Sequence, residues 1–323
     1  MEHPTPRLFC SRCLGFDACR YNSQIIPNSF VEKLKTYVDF INTCPEVEIG
    51  LGVPRDPIRI IRKDGEDKLI QPSTENDYTE DMKSFSQNYL KKLGNVDGFI
   101  LKAGSPSCGP KNVKIYPKKE NAAPIAKENG FFARKVMDRY SQLAVEDEKR
   151  LNNAAIRHHF LTKIFILASF REVKKNKDIS DLIEFQSRNK LLLKAYDQKE
   201  MRDMGRIAAN KENKEFEKII SEYETHLWRA LEKGQNYRSI INVLENSLGY
   251  FSDDLNSEEK KLFLNTVDMY REGRSSLKEC LGILKSWIAR FDQEYLEKQT
   301  FFNPYPEEFV ELTECATRRD YWD

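Results

Sequence analysis

No run in this chain approaches eighteen consecutive apolar residues, so no helical membrane span is expected. The opening residues, Met1-Glu2-His3-Pro4-Thr5-Pro6-Arg7, lack the apolar core of a secretory signal, and a cytoplasmic location is the expectation. Charge of one sign is also lacking. The 52 Lys and Arg against 51 Asp and Glu leave a net charge of +1, so any nucleic-acid surface has to be assembled by the fold from scattered basic residues. The nucleotide cradles G-x-x-x-x-G-K-[ST] and G-x-G-x-x-G are absent, which removes the commonest phosphate-binding loops. Only four histidines occur, His3, His158, His159 and His226. By pattern they fall on surface or helix positions without a carboxylate partner, so neither Ser-His-Asp nor Cys-His chemistry has support. There is no internal repeat and no low-complexity segment.

What is present is cysteine, seven residues in all. Cys10, Cys13, Cys19, Cys44 and Cys108 lie in the first third, and Cys280 and Cys315 stand alone downstream. An odd count without a secretory signal argues against a disulfide framework and for ligand or reactive roles. Cys10-x2-Cys13-x5-Cys19 matches zinc spacing weakly, because no second close pair follows. The C-x2-C-x2-C-x3-C-P ferredoxin run is absent as well. Cys13, Cys44 and Cys108 each sit on a loop marked by Pro or Gly. Three such thiolates can hold an iron–sulfur cluster with one iron open, and they can equally be buried, unligated thiols.

Cys108 follows an apolar run, residues 98–101, that reads as a buried strand. The next loop, Lys102-Ala103-Gly104-Ser105-Pro106-Ser107-Cys108-Gly109-Pro110, carries two glycines and two prolines after the strand and is therefore stiff. Around it the pattern predicts a strand at 8–13, a helix at 30–41 and a Pro- and Gly-punctuated loop at 44–55. A strand at 58–62 turns at Asp64-Gly65 and resumes at 69–70, and helices follow at 79–93 and 127–140. The basic stretch Lys111, Lys114, Lys118 and Lys119 around Tyr116 can contact phosphate or be a solvated face. This order is that of an α/β domain with a mostly parallel sheet, whose functional loops lie at the carboxyl ends of the strands. Loops bearing Cys13, Cys44 and Cys108 can therefore converge.

A helix at 153–170 closes this domain, and the charged segment 171–178 reads as a linker. Long helical patterns then follow at 180–196, 199–209, 213–231, 237–251, 257–271 and 275–291, with starts at Asp178-Ile179-Ser180-Asp181 and Ser257-Glu258-Glu259-Lys260. The expected organisation is an α/β domain over residues 1–172, a linker at 173–180, and an all-α helical bundle over 181–323.

Several blocks of this sequence resemble the thiouracil desulfidase family. They are Cys13-Leu14, Arg20-Tyr21-Asn22, Cys44-Pro45-Glu46-Val47 with Gly50-Leu51-Gly52-Val53-Pro54-Arg55, Ser105-Pro106-Ser107-Cys108-Gly109, and Gly130-Phe131-Phe132-Ala133. The resemblance spans residues 8–170. Downstream, Phe185-Gln186, Lys190-Leu191-Leu192-Leu193, Gly205-Arg206, Asn242-Val243-Leu244, Gly249-Tyr250-Phe251, Tyr270-Arg271 and Asn303-Pro304-Tyr305-Pro306 resemble a helical domain of long-unassigned function that is often fused to such desulfidases. Fusions of this kind are similar to desulfidases that act on 4-thiouridine in tRNA, and the helical domain would help to hold the RNA.

The resemblance implies a 4Fe–4S cluster with three cysteine ligands, Cys13, Cys44 and Cys108, and one open iron for the thiocarbonyl sulfur. It implies a non-redox reaction in which water replaces sulfur, released as hydrosulfide. Glu46 is the implied proton-transfer group, and Ser105, with Ser107 as the alternative, orients or protonates the intermediate. The implied substrate is a thiolated nucleobase or nucleoside within tRNA, with uridine as product. The sequence departs from the pattern at Gly15, at Asn22-Ser23 in place of Asp-Gly, and at Asn189 and Ile240, where histidines are expected. Cys10 and Cys19 are additional, and either could compete as a fourth ligand. The contrasting expectation is a non-catalytic RNA-binding module whose cysteines hold a structural zinc.

Overall fold

The computed structural model describes residues 3–118 and 122–312. Cys315 and Lys119 lie outside the described residues. The chain forms two compact units, one from Thr5 to Asn152 and the other from Asn153 onward together with Met1–Pro4.

The first unit begins with β1 (Arg7–Ser11), α1 (Ser29–Leu34), β2 (Asp39–Thr43) and a single-turn α2 (Pro45–Glu48). It continues through β3 (Arg59–Lys63), β4 (Glu66–Ile70), α3 (Thr79–Lys92) and β5 (Gly98–Leu101). It closes with β6 (Val113–Tyr116), β7 (Ala126–Glu128), α4 (Phe131–Arg139) and β8 (Ala144–Asp147). One sheet is wholly parallel, in the order β2-β1-β5-β8. A second, mixed sheet runs β4-β3-β6-β7, with β3 parallel to β6 and the other pairs antiparallel. Phe9, Phe99, Leu101, Phe132 and Val136 share one core with Ile60, Leu69 and Ile115 of the second sheet. The α/β class with a mostly parallel main sheet is thus the observed one.

Two local expectations need correction. The helix expected at 30–41 stops at Leu34, and Asp39–Thr43 is a strand paired in register with Arg7–Ser11. Val38 and Ile41 fall at helical spacing, but Phe40, Ile41 and Thr43 are strand-forming types, and β1 gains a parallel neighbour from them. The helix expected from Lys127 starts at Phe131, because Ala126–Glu128 pairs with β6. The stretch around Lys111 to Lys118 contains β6, in which Val113 and Ile115 point inward and Lys114 outward. Lys114 is the solvent side of an alternating strand, and Lys111 and Lys118 are exposed on either side of it.

The second unit is helical: α5 (Ala154–Asn176), α6 (Ile179–Tyr196), α7 (Gln198–Ala208), α8 (Phe216–Ala230), α9 (Tyr237–Leu248), α10 (Ser257–Arg271), α11 (Leu277–Arg290) and a final turn, α12 (Glu294–Glu297). Side-chain caps mark several starts. Asp178 accepts from the Ser180 N–H, and Asn256 with Glu259 and Ser276 with Glu279 form capping boxes. Phe170 stacks on Tyr223 and packs on Phe185, while Phe263 packs on Trp287. The charged segment that reads as a linker is largely helical, since α5 runs to Asn176 before Lys177 takes a left-handed conformation. Its charges lie on the last turns of an otherwise buried helix. No helix among the described residues is long and apolar enough to cross a membrane.

Candidate functional site

The parallel sheet brings three loops to its carboxyl edge. β1, β2 and β5 are adjacent, and the chain leaves β1 toward β2 on one side and later returns as β5 on the other. This is a topological switch point, where the loops part and leave a crevice. Cys44 is the first residue after β2, Cys13 lies two residues beyond β1, and Cys108 lies in the loop between β5 and β6. All three thiols line one cavity of about 190 Å³, together with Cys19, Glu46, Arg55, Lys102 and Ser105.

The loop carrying Cys108 is fastened from beneath by α4. Its first N–H groups have no partners within the helix, and they point at this loop instead. Phe131 donates to the Pro106 carbonyl at 2.9 Å, and Phe132 and Ala133 donate to the Ser107 carbonyl at 2.9 and 3.1 Å. Gly130 is needed for the approach, because a Cβ there would stand 2.5 Å from the Ser107 oxygen and 2.7 Å from that of Pro106. Gly109 is equally confined, with a Cβ meeting the Val113 side chain at 2.3 Å. The Gly130-Phe131-Phe132-Ala133 block is thus the seat of the cysteine loop.

Glu46 stands in the first turn of α2, two residues after Cys44. Its Oε2 accepts from Arg55 Nη2 at 2.7 Å and Nε at 3.2 Å. Its Oε1 accepts from Ser107 Oγ at 3.0 Å and Ser105 Oγ at 3.3 Å. Ser105 Oγ in turn accepts the N–H groups of Ser107 and Cys108 at 3.2 and 3.0 Å. Both serines touch Glu46, but Ser105 lines the cavity, whereas Ser107 is fully buried and does not. Arg55 also donates to the carbonyls of Cys19 and Gly52 at 3.1 and 3.0 Å. One guanidinium therefore joins the loop after β1 to the carboxylate.

The thiols are packed against each other. The Cys44 thiol lies 3.8 Å from the Cys19 carbonyl, and the Cys19 thiol interacts with those of Cys13 and Cys44. Its pKa is pushed up to about 11, first by the bond with Cys13 and then by burial, against an opposing contribution from Cys44. Cys44 is raised well above the ordinary thiol range by its bond with Cys19 and by burial. Cys108 is raised by burial and by the nearby Cys44, while hydrogen bonds with Ser11 and Ser105 act the other way. Of the four cations lining the cavity, Arg55 is paired with Glu46, Lys102 with Glu148 at 2.6 Å and Arg12 with Glu48 at 3.2 Å, while Arg20 sits over the Tyr21 ring. Several soft thiols gathered at one cavity suit a thiophilic metal group, whose binding would release their protons. Among the described residues no three His, Cys, Asp or Glu side chains are placed around a single ion.

Every site residue expected from the sequence, Cys13, Cys44, Cys108, Glu46 and Ser105, lies at this cavity. Of the two additional cysteines, Cys19 is brought in, whereas Cys10 is buried in β1 with its thiol toward the Ser11 carbonyl. Cys280 is far along the chain in α11, its sulfur 3.8 Å from the Thr266 carbonyl. The roles of Arg55, Lys102 and Glu148 escape sequence reasoning. Arg55 closes the Gly50 to Arg55 block nine residues after Glu46, a readable hint, but Lys102 and Glu148 are 46 residues apart and have no local signal. The histidines also differ from expectation. His226 has a carboxylate partner in Glu200, with Nδ1 2.6 Å from Oε2. His158 and His159 are packed against Tyr305 and Tyr196 at 2.8 and 3.0 Å.

Comparison with known proteins gives the same division of the chain. Residues 8–148 match the model of the 2-thiouracil desulfurase family, and residues 190–306 match that of a protein family of unknown function, DUF1722. Uncharacterized protein YbbK of Bacillus subtilis is 34% identical over 110 residues, covering 32% of this chain and 72% of the relative. Uncharacterized protein YbgA of Escherichia coli is 27% identical over 148 residues, covering 45% of this chain and 88% of the relative. A solved structure of the [4Fe-4S]-dependent thiouracil desulfidase TudS aligns at 23% identity and a TM-score of 0.35, covering 46% of this chain and 93% of TudS. The chain belongs to the 2-thiouracil desulfurase family, and it carries a DUF1722 helical domain after the family domain.

Proposed function

We propose that this protein is an iron–sulfur-dependent, non-redox desulfidase that replaces the sulfur of thiolated uracil with oxygen, acting on 4-thiouridine in tRNA to give uridine and hydrosulfide. The observation that carries the reading is the meeting of Cys13, Cys44 and Cys108 in one cavity with the Glu46–Ser105 pair. Those three thiolates would hold three irons of a 4Fe–4S cluster. Once bound, the cluster supplies a cysteine-free iron, a soft Lewis acid matched to a thiocarbonyl sulfur.

The remaining chemistry belongs to the protein. Glu46 accepts at Oε1 the proton of the water that attacks the ring carbon. Ser105 donates its hydroxyl proton toward Glu46 Oε1 while two loop N–H groups hold its oxygen. Its Oγ–H can therefore pass a proton toward the departing sulfur and recover it from Glu46. Arg55 keeps the carboxylate aimed through two hydrogen bonds to Oε2. The balance is one water consumed, one carbonyl formed and one hydrosulfide plus one proton released, without electron transfer. The assignment to tRNA is drawn from the pairing of the two domains in one chain, with the helical domain holding the RNA. A reducing, cytoplasmic setting belongs to the same reading, since the thiolates must stay unpaired.

Anaerobic reconstitution tests this. The expected protein is brown, binds about four irons per chain as a cubane cluster requires, and releases hydrosulfide from 4-thiouridine. Cys108→Ala should abolish both properties, and full activity in that variant would sink the proposal. One zinc per chain without visible absorbance would favour a structural metal in an RNA-binding module.

A further inference from the structure

The thiol cavity holds one sulfur more than the reaction above uses. Cys13, Cys19, Cys44 and Cys108 all line it, and Cys19 is no less buried than Cys13 or Cys108. A spare buried cysteine is ordinarily a small apolar filler. Two observations set this one apart. The first is its company. Its sulfur interacts with two of the three that would hold the cluster, and those two come from the loops after β1 and β2. Cys10, the other additional thiol, is directed at the Ser11 carbonyl and does not line the cavity. The second is how Cys19 is mounted. The Cys44 carbonyl accepts the N–H groups of Val47 and Glu48 at 3.0 and 3.1 Å, and the Cys13 carbonyl accepts that of Ile26 at 2.8 Å. Cys108 sits between Ser107 and Gly109, whose carbonyls accept from the start of α4 and from Gly130. Cys19 instead ends an irregular stretch, residues 17–19, that follows a turn. Its carbonyl accepts from a side chain, Arg55 Nη1, at 3.1 Å. Its sulfur can therefore move without breaking a strand or a helix end.

We infer that Cys19 is an exchangeable fourth ligand, holding the remaining iron of the cluster in the resting protein and yielding it to a sulfur that enters the cavity. The inference rests on the desulfidase reading and adds a guarded resting state to its open iron. Four cysteine thiolates are the ordinary complement of a 4Fe–4S cluster, and a closed coordination shell marks a protected metal rather than a reactive one. Thiolate and thiocarbonyl sulfur are both soft donors, so either can occupy the same iron. The exchange moves no electrons between redox partners. The bond from the Cys19 sulfur to iron breaks with its electron pair staying on sulfur, which takes a proton from water. A lone pair of the incoming sulfur forms the new bond.

The test uses full-length protein loaded anaerobically, as the parent and as Cys19→Ala and Cys19→Val. Each is treated briefly with ferricyanide and read by iron analysis and electron paramagnetic resonance. An iron without a cysteine ligand is the one an oxidant removes, leaving a paramagnetic three-iron cluster. The parent should keep about four irons per chain, whereas Cys19→Ala should fall to about three and show the three-iron signal. Cys19→Val fills the space without a sulfur and should behave as Cys19→Ala does. Retention of the fourth iron in both variants, or its loss from the parent, would overturn the inference. Retention in Cys19→Val alone would do the same, because it would mean shielding rather than ligation. So would failure of both variants to load a cluster, which would make Cys19 a fixed ligand. With 4-thiouridine, the KM of Cys19→Ala should lie at or below that of the parent, since a competing ligand is gone, and a raised KM would count against the exchange. A parent that keeps its fourth iron under ferricyanide but releases no hydrosulfide would sink the desulfidase reading and leave the ligand assignment standing. A parent that binds zinc alone would overturn both.

Discussion

Glu46 has both carboxylate oxygens engaged, one by a guanidinium and the other by two hydroxyls. A group so fully held is aimed rather than mobile, which is the condition for proton transfer at a fixed atom. Glu46→Gln preserves the shape and removes the proposed base. It should lower kcat by roughly 10²- to 10⁴-fold with iron content and visible absorbance unchanged, as steady-state kinetics beside metal analysis would show. His158 makes a second residue-scale point. Burial drives its pKa down to about 4 from an ordinary 6.5, so the folded chain accepts the neutral ring and the unfolded chain binds a proton first. Its stabilising contribution is complete above pH 6.5 and is lost as pH falls toward 4. Urea unfolding followed at pH 7.5 and 5.0 should therefore show a lower midpoint at pH 5.0, and His158→Gln should reduce that difference. An equal drop in the variant would assign the effect elsewhere.

The element that decides the site is α4, whose free N–H groups are spent on the carbonyls of Pro106 and Ser107. Helix ends need such partners, and here the partner is the loop that carries Cys108. Gly130→Ala would drive a methyl group into two backbone oxygens. Backbone cannot swing aside as a side chain does, so the loop or the helix must shift. The expected result is a loss of about 1–3 kcal/mol in stability, the scale of overpacking a close contact, and reduced iron uptake on reconstitution. Thermal unfolding together with iron analysis checks both, and wild-type iron uptake would show that α4 does not set the cysteine loop. The same element shows the limits of local pattern. The Gly-Phe-Phe-Ala block could be recognised as a block, but its purpose is visible only where its N–H groups end.

At the scale of the molecule, the boundary between the compact units falls at Asn153, before α5 rather than after it. The apolar side chains of α5 are covered by later helices, Phe170 by Phe185 and Tyr223 among them. A truncation after Lys177 would leave that face uncovered, which is an aggregation hazard. A chain ended after Asn152 should remain soluble and monodisperse in size-exclusion chromatography, whereas one ended after Lys177 should aggregate. The reverse outcome would place α5 with the first unit. The shorter chain, loaded with iron, also separates the two domains in function. If it treats 4-thiouridine in tRNA as well as the full chain does, the helical domain is not an RNA clamp.

The sequence by itself determined the class of each half, the buried strand at Gly98–Leu101, most of the long helices, and the cysteines worth following. These are local properties: apolar periodicity, Pro and Gly in loops, and capping residues act over a few positions. It misplaced the helix at 30–41, because helical spacing at Val38 and Ile41 gives no notice that β1 needs a partner. It left Cys10 and Cys19 equivalent, although one is buried in a strand and the other meets Cys13 and Cys44. Only the tertiary structure decided which thiols share a cavity, why Ser105 and not Ser107 faces it, and that Arg55 joins Glu46 to the loop of Cys19 and Tyr21. The reason is physical. Three loops meet there because β2, β1 and β5 are neighbours in a parallel sheet, and adjacency across a sheet is set by long-range pairing that no short stretch of chain encodes.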